Sequence, residues 1–244
     1  MAKLVQKSGY IKSGKASGYM RYIATREGVE KLAGNGAVTK GQRELIQKLL
    51  HDFPDAAELF EYEDYCKTPT LGTASAFITM ALDANLHEID SESGYMQYIA
   101  TRPRVQKHGS HGLFSSSTSV DLASAMSELE AHEGNVWTII YSLRREDAAR
   151  LEFDNADAWR TLLMENAPTL AKSMKISLNN FHWYAAFHDE GHHPHIHMMV
   201  WSDDPKEGFL TKGGIAAMRS KLTNAIFRDE MQQIYERKDV AYSD

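Results

Sequence analysis

Five of the chain's eleven histidines fall within one short stretch, His188-Asp189-Glu190-Gly191-His192-His193-Pro194-His195-Ile196-His197. Apolar, strand-like sequence flanks it, Trp183 to Phe187 before and Met198 to Trp201 after. On a strand, alternate side chains share a face. His195 and His197 therefore point together, and Ile196 points the other way, into a core. The stretch from Asp189 to Pro194 has turn chemistry. It predicts a hairpin that brings His188 across from the pair. Three neutral imidazoles converging on one face can hold a metal ion and leave room for a water or a substrate oxygen. His192 and His193 sit in the turn and need not be ligands. His182 has the parity of His188 but lies two pleats away from it.

A second feature supplies a different chemistry. Residues 17–32 read SGYMRYIATREGVEKL and residues 93–108 read SGYMQYIATRPRVQKH, identical at eleven of sixteen positions. Two copies do not make a solenoid. Each copy presents a tyrosine pair, Tyr19/Tyr22 and Tyr95/Tyr98, followed closely by Arg26 or Arg102. At helical spacing each pair shares a face, with the arginine one turn on. A phenol has an ordinary pKa of about 10, so it attacks phosphorus only with metal or cationic help. A metal site, repeated tyrosines and basic segments together point to phosphoryl transfer on nucleic acid. The product of tyrosine attack is a phosphotyrosine link and a free 3′ hydroxyl. That link keeps the bond energy, so the strand can be rejoined.

Several elements must position these groups. Leu4 to Lys12 suits a strand. Residues 41–65 read as helix, with a break at Pro54 and a new start at Asp55. Residues 73–86 are a further helix. Residues 108–117 are loop-like, and 119–133 are helical with Val120, Ala123, Met126 and Leu129 roughly on one face. Val136 to Leu143 is a strand, and a helix opens at Glu146. Residues 157–177 predict a helix broken near Pro168. Residues 212–238 predict a long helix with a stripe of Ile215, Met218, Leu222, Ile226 and Met231. The layout is α/β (α+β), with an antiparallel sheet covered by helices. We expect one domain over 1–244, with a mainly helical acidic insertion at about 33–92.

Composition narrows the classes. Apolar content of 43% and charged content of 25% are those of a soluble globular protein. No apolar run has the ~20 residues of a membrane span, and the first residues lack a signal-peptide core. The single cysteine, Cys66, cannot form an internal disulfide, which fits a reducing cytoplasm. Net charge is −6, yet residues 1–31 carry seven Lys/Arg against two acids, and residues 44–92 carry eleven acids against Lys48 and Lys67. A binding face follows local potential rather than the total. Arg26, Arg102, Arg104, Lys107, His108 and His111 are candidates for phosphate contact. Trp183, Trp201 and Phe114 are candidate platforms for unstacked bases.

The combination resembles an HUH-type conjugative relaxase of the MOBP class, and most its MobL-like branch from Gram-positive mobile elements. Tyr22-Ile23-Ala24-Thr25-Arg26-Glu27-Gly28 is similar to that class's first motif. His188 with Pro194-His195-Ile196-His197 is similar to its third. Tyrosine first and histidines later is the relaxase order. Replication initiators of the wider superfamily usually show the reverse.

The resemblance implies a palm-like central antiparallel sheet with the histidines on it. It implies Tyr22 as nucleophile and His188, His195 and His197 as ligands of Mg²⁺ or Mn²⁺. The second tyrosine copy is not a general feature of the class, and the repeat itself offers Tyr19 and Tyr98 as alternative nucleophiles. The resemblance implies strand-specific nicking of single-stranded or hairpin origin-of-transfer DNA in the bacterial cytoplasm. Accessory relaxosome proteins and a coupling protein would be partners. Some members carry an acid on an early strand that orients a histidine. The matching strand, Val136 to Tyr141, has none, which leaves Glu146 and Asp189 as candidates. The competing readings are a rolling-circle initiator or transposase of HUH type, and a non-catalytic DNA-binding module with a structural metal.

Overall fold

The strands that carry the histidines lie side by side in the interior of one sheet. In a computed structural model, the residues described are 3–10, 36–85, 92–101, 105–107, 110–117, 119–189 and 193–228. Five strands form a single antiparallel sheet: β1 (Val5–Tyr10), β2 (Leu113–Phe114), β3 (Trp137–Ser142), β4 (Phe181–His188) and β5 (His195–Ser202). Their spatial order is β1-β3-β5-β4-β2. The strand β5, between β3 and β4, is buried along all eight residues. Burial on both faces explains why its sequence reads as a continuous apolar and histidine run rather than an alternation with exposed polar residues.

Register divides the sheet into two faces. Val5 pairs with Ser142, Ser142 with His195, and His195 with His188, so one row crosses four strands. The next row on that face is Lys7, Ile140, His197, Ala186 and Leu113. The opposite face carries Tyr141, Ile139, Ile196, Met198, Phe187 and Ala185. An even residue shift separates members of one face, and a one-residue slip would turn every histidine into the other core.

The histidine face is covered by the helices that precede β3: α1 (Lys40–Asp52), α2 (Phe60–Lys67), α3 (Leu71–Ala84), α4 (Glu92–Thr101) and α5 (Leu122–Glu130). Thr39 opens α1 with a capping box to Gln42, and Thr70 opens α3 with one to Thr73. Between them Pro54 starts a 3-10 turn, Pro54–Glu58, where its missing N–H costs nothing. The predicted break at Pro54 is therefore found. The other face is covered by α6 (Arg145–Arg150), α7 (Ala156–Ser173) and α8 (Lys212–Ile226). The stripe Met218, Leu222 and Ile226 is buried on α8, while Met231 falls outside the described residues.

Three expectations need correction. The helix α7 runs through Pro168 without ending. The ring removes the bond to the carbonyl of Met164 four residues back, and the helix continues to Ser173 without it. The stretch 108–117, read as loop, contributes the edge strand β2. On α5 the buried residues are Ala125 and Leu129, whereas Ala123 is exposed. No helix among the described residues is long and apolar enough to cross a membrane.

Candidate metal centre

His188 ends β4 and His195 begins β5, and the two are direct cross-strand partners. His197 stands two residues along on the same face. Each of the three is buried, and one ring nitrogen from each lies within 4.8 Å of the others. Ring centroids are 5.2 Å apart for His188 and His195, 4.6 Å for His188 and His197, and 5.1 Å for His195 and His197. The sequence-predicted trio is thus brought together by strand register alone.

Backbone carbonyls fix two of the tautomers. His188 Nε2 donates to the Ile99 carbonyl at 2.8 Å, which leaves the lone pair on Nδ1. His195 Nδ1 donates to the His193 carbonyl at 3.0 Å, which leaves the lone pair on Nε2. A ring nitrogen that faces a carbonyl must carry the proton, and the other is then ready to ligate. Beside His195 in the register stands Ser142, buried, with no hydrogen-bond partner for its hydroxyl among the described residues. An orphaned hydroxyl next to three imidazoles, two of them with preset tautomers, fits a divalent cation and its remaining oxygen ligands. By donor type the set suits Mn, Zn or Ni better than Mg.

The second layer comes from α2 and the turn before β5. His193 Nε2 meets Asp64 Oδ2 at 2.8 Å, and the His193 ring packs on Phe60 at 5.2 Å between centroids. Arg144 donates to Asp64 at 3.2 Å and to Glu63 at 3.1 Å, and lies 4.7 Å over the Phe60 ring. Burial pushes the Asp64 carboxyl up, but hydrogen bonds from His193 and Arg144 outweigh it and hold the group below its ordinary value. Burial likewise works against the Arg144 charge, and the two carboxylates more than restore it.

The described part of the repeat's second copy touches the cluster through its backbone. It forms α4, whose Ile99 supplies the carbonyl to His188. Just beyond it, Val105 bridges to His188 and Gln106 N donates to the Phe187 carbonyl at 2.9 Å. Tyr98 falls on α4, but its side chain lies outside the described part. Tyr19, Tyr22, Arg26, Arg102, Arg104 and His108 also lie outside the described residues.

Lys107 is described and exposed. His111 is buried, with its ring nitrogens turned to the Val120 carbonyl and the Leu113 amide, so it anchors the loop. Trp183, Trp201 and Phe114 are all core residues. Asp189 is paired with Arg145 at 2.6 Å, and Glu146 is exposed on α6.

Two other phenols on the sheet can be placed against the cluster. Tyr141 is on the opposite face, and complete burial pushes its phenol up. Tyr184 shares the histidine face but sits four residues down β4 from His188, roughly 13 Å at strand rise. Burial and then Glu128, to which it donates at 3.0 Å, push it up to about 12.

Sequence reasoning missed Asp64, His193 and Ser142. Asp64 is one of eleven acids in residues 44–92, and nothing local ties it to a histidine 129 positions on. His193 looked like a turn residue, and its imidazole does not join the trio. Its signal was the Pro194 that follows, which fixes the backbone of the residue before it.

An antiparallel sheet between two helical layers, with a histidine trio that could hold a metal ion where β4 meets β5, has the palm-like architecture of a relaxase. The family model of the MobL relaxases matches residues 1–243, and the chain belongs to that family. No curated protein and no solved structure matches it.

Proposed function

We propose that this chain nicks single-stranded or hairpin DNA at an origin of transfer, one strand only, through a tyrosine. The observation that carries the reading is the histidine trio, brought to one point by the pairing of β4 with β5, in a chain of the MobL relaxase family. His188, His195 and His197 hold the ion, Mn²⁺ or Mg²⁺. When bound, it supplies positive charge against a non-bridging phosphate oxygen.

The Tyr22 hydroxyl attacks phosphorus and gives up its proton. The P–O3′ bond breaks, and the leaving 3′ oxygen takes a proton. The 5′ phosphate stays on the tyrosine, and the 3′ hydroxyl can later reverse the step. Tyr19 and Tyr98 are the alternatives for the nucleophile. Arg26, Arg102, Arg104, Lys107 and His108 contact phosphates along the bound strand. His111 supports their loop from within.

We place the reaction in conjugative transfer, in the bacterial cytoplasm, within one nicking domain over 1–244. Accessory relaxosome proteins and a coupling protein are its partners.

The test is direct. The chain is incubated with labelled origin oligonucleotides and Mn²⁺, and an SDS-stable adduct is sought and mapped. We expect the adduct on Tyr22, none in Tyr22→Phe, and unchanged DNA binding by that variant. Chelator should stop cleavage by the wild type. An adduct on no tyrosine, or nicking that survives chelation, overturns the reading.

A further inference from the structure

Helix α2 meets the turn before β5 through Asp64 and Phe60, and that contact has the geometry of a positioning device. Asp64 on α2 accepts from His193 Nε2 at 2.8 Å. His193 is 4% exposed, and its ring is packed on Phe60 of the same helix. The His193 imidazole is not one of the trio. It reaches the trio through its main chain: its carbonyl accepts from His195 Nδ1 at 3.0 Å. The residue before a proline is confined to extended backbone. Gripping the His193 side chain therefore leaves its carbonyl little freedom. The next carbonyl, that of Pro194, is tied to Leu143 N at 3.2 Å, so the strand entry is held on both sides.

We propose that Asp64 and His193 are positioning residues that hold His195 in its Nδ1–H form and aim Nε2 at the metal. This rests on the trio being the metal site. The role is indirect, since neither residue contributes a ligand atom. It gives the acidic helical segment a place in the site that its charge alone would not suggest. It also supplies the acid that β3 lacks, from a different element and through a main-chain link. Partners of ligating histidines typically change metal affinity 10–100-fold when removed.

The first readout needs no metal and no DNA. Nitrogen-15 shifts of His195 in the metal-free chain report its tautomer. The wild type should show Nδ1–H. Asp64→Ala should show a mixture, and its Mn²⁺ affinity by calorimetry should fall about tenfold or more. Asp64→Asn, whose amide oxygen can still accept from His193, should restore most of both. His193→Phe keeps the ring against Phe60 but cannot bond Asp64. It should match Asp64→Ala, and it carries the test if the alanine variant unfolds. The double variant should be no worse than either single one, because the two act as one unit.

Glu63→Ala removes a partner of Arg144 and leaves the Asp64 contact, so it should bind Mn²⁺ like the wild type. The proposal falls if Asp64→Ala and His193→Phe keep the tautomer and the affinity. It falls equally if Glu63→Ala loses as much as Asp64→Ala. Should His195→Ala itself bind Mn²⁺ normally, the metal-site reading fails first, and this result is told apart from the others.

Discussion

His188 and His195 reach their cluster by a simple rule, since cross-strand partners on one face stand within a few ångströms. Removing one of three ligands leaves a pair that holds an ion poorly. His195→Ala should lose Mn²⁺ affinity at least 100-fold by calorimetry, and nicking with it. The Asp64 carboxyl gives a pH signature. Its folded value is lowered, so its stabilising contribution is present above its ordinary value of 3.8 and is lost as pH falls through the lowered value. The Tm gap between the wild type and Asp64→Asn should therefore be constant at neutral pH and close on acidification below 3.8.

The trio itself was legible in the sequence because strand parity is short-range information. Asp64 was not, because its contact depends on how a helix lands on a sheet. Tyrosines at helical spacing gave candidates of the right chemistry, but spacing cannot say which phenol approaches an imidazole.

Elements followed local rules where caps and prolines act at helix ends. Thr39, Thr70 and Pro54 mark boundaries that sequence reading found to within a few residues. Pro168 misled, because an 18-residue helix with a buried face can carry a proline at the loss of one hydrogen bond. Pro168→Ala should restore that bond and raise stability, by up to about 3 kcal/mol on the propensity scale, read as a higher Tm.

The small strand β2 carries no periodicity to detect, since two residues define none. It exists because Gly112 lets its loop press on the segment beside His188. A methyl group there would meet Val105 Cγ2 at 2.1 Å and the Gln106 carbonyl at 2.8 Å. Gly112→Ala should therefore destabilise the fold by about 1–3 kcal/mol. Because Val105 bridges to His188, the same variant should weaken Mn²⁺ binding.

For the whole molecule, one sheet separates two cores of different origin in the chain. Among the described residues, helices before β3 cover the histidine face, and helices after it cover the other. This layering was legible as a class from alternating strands and helices. The assignment of helices to faces was not, because it follows from the sheet order. Charge is also uneven at this scale. Despite the net −6, affinity for single-stranded origin DNA should fall with salt, with a log–log slope near −0.7 per neutralised phosphate. Arg102→Ala should reduce that slope by about 0.7 in an anisotropy titration, and an unchanged slope would remove Arg102 from the contact set.

The strand order has a last consequence, for how the protein is made. β1 is the first element of the sheet to leave the ribosome, and its neighbour β3 spans Trp137–Ser142. At ordinary elongation rates that is a wait of roughly ten seconds, during which an unpaired edge with Val5 and Tyr10 is exposed. Such long-range closure is slow by nature. Newly made chains should therefore depend on holding chaperones until β3 emerges.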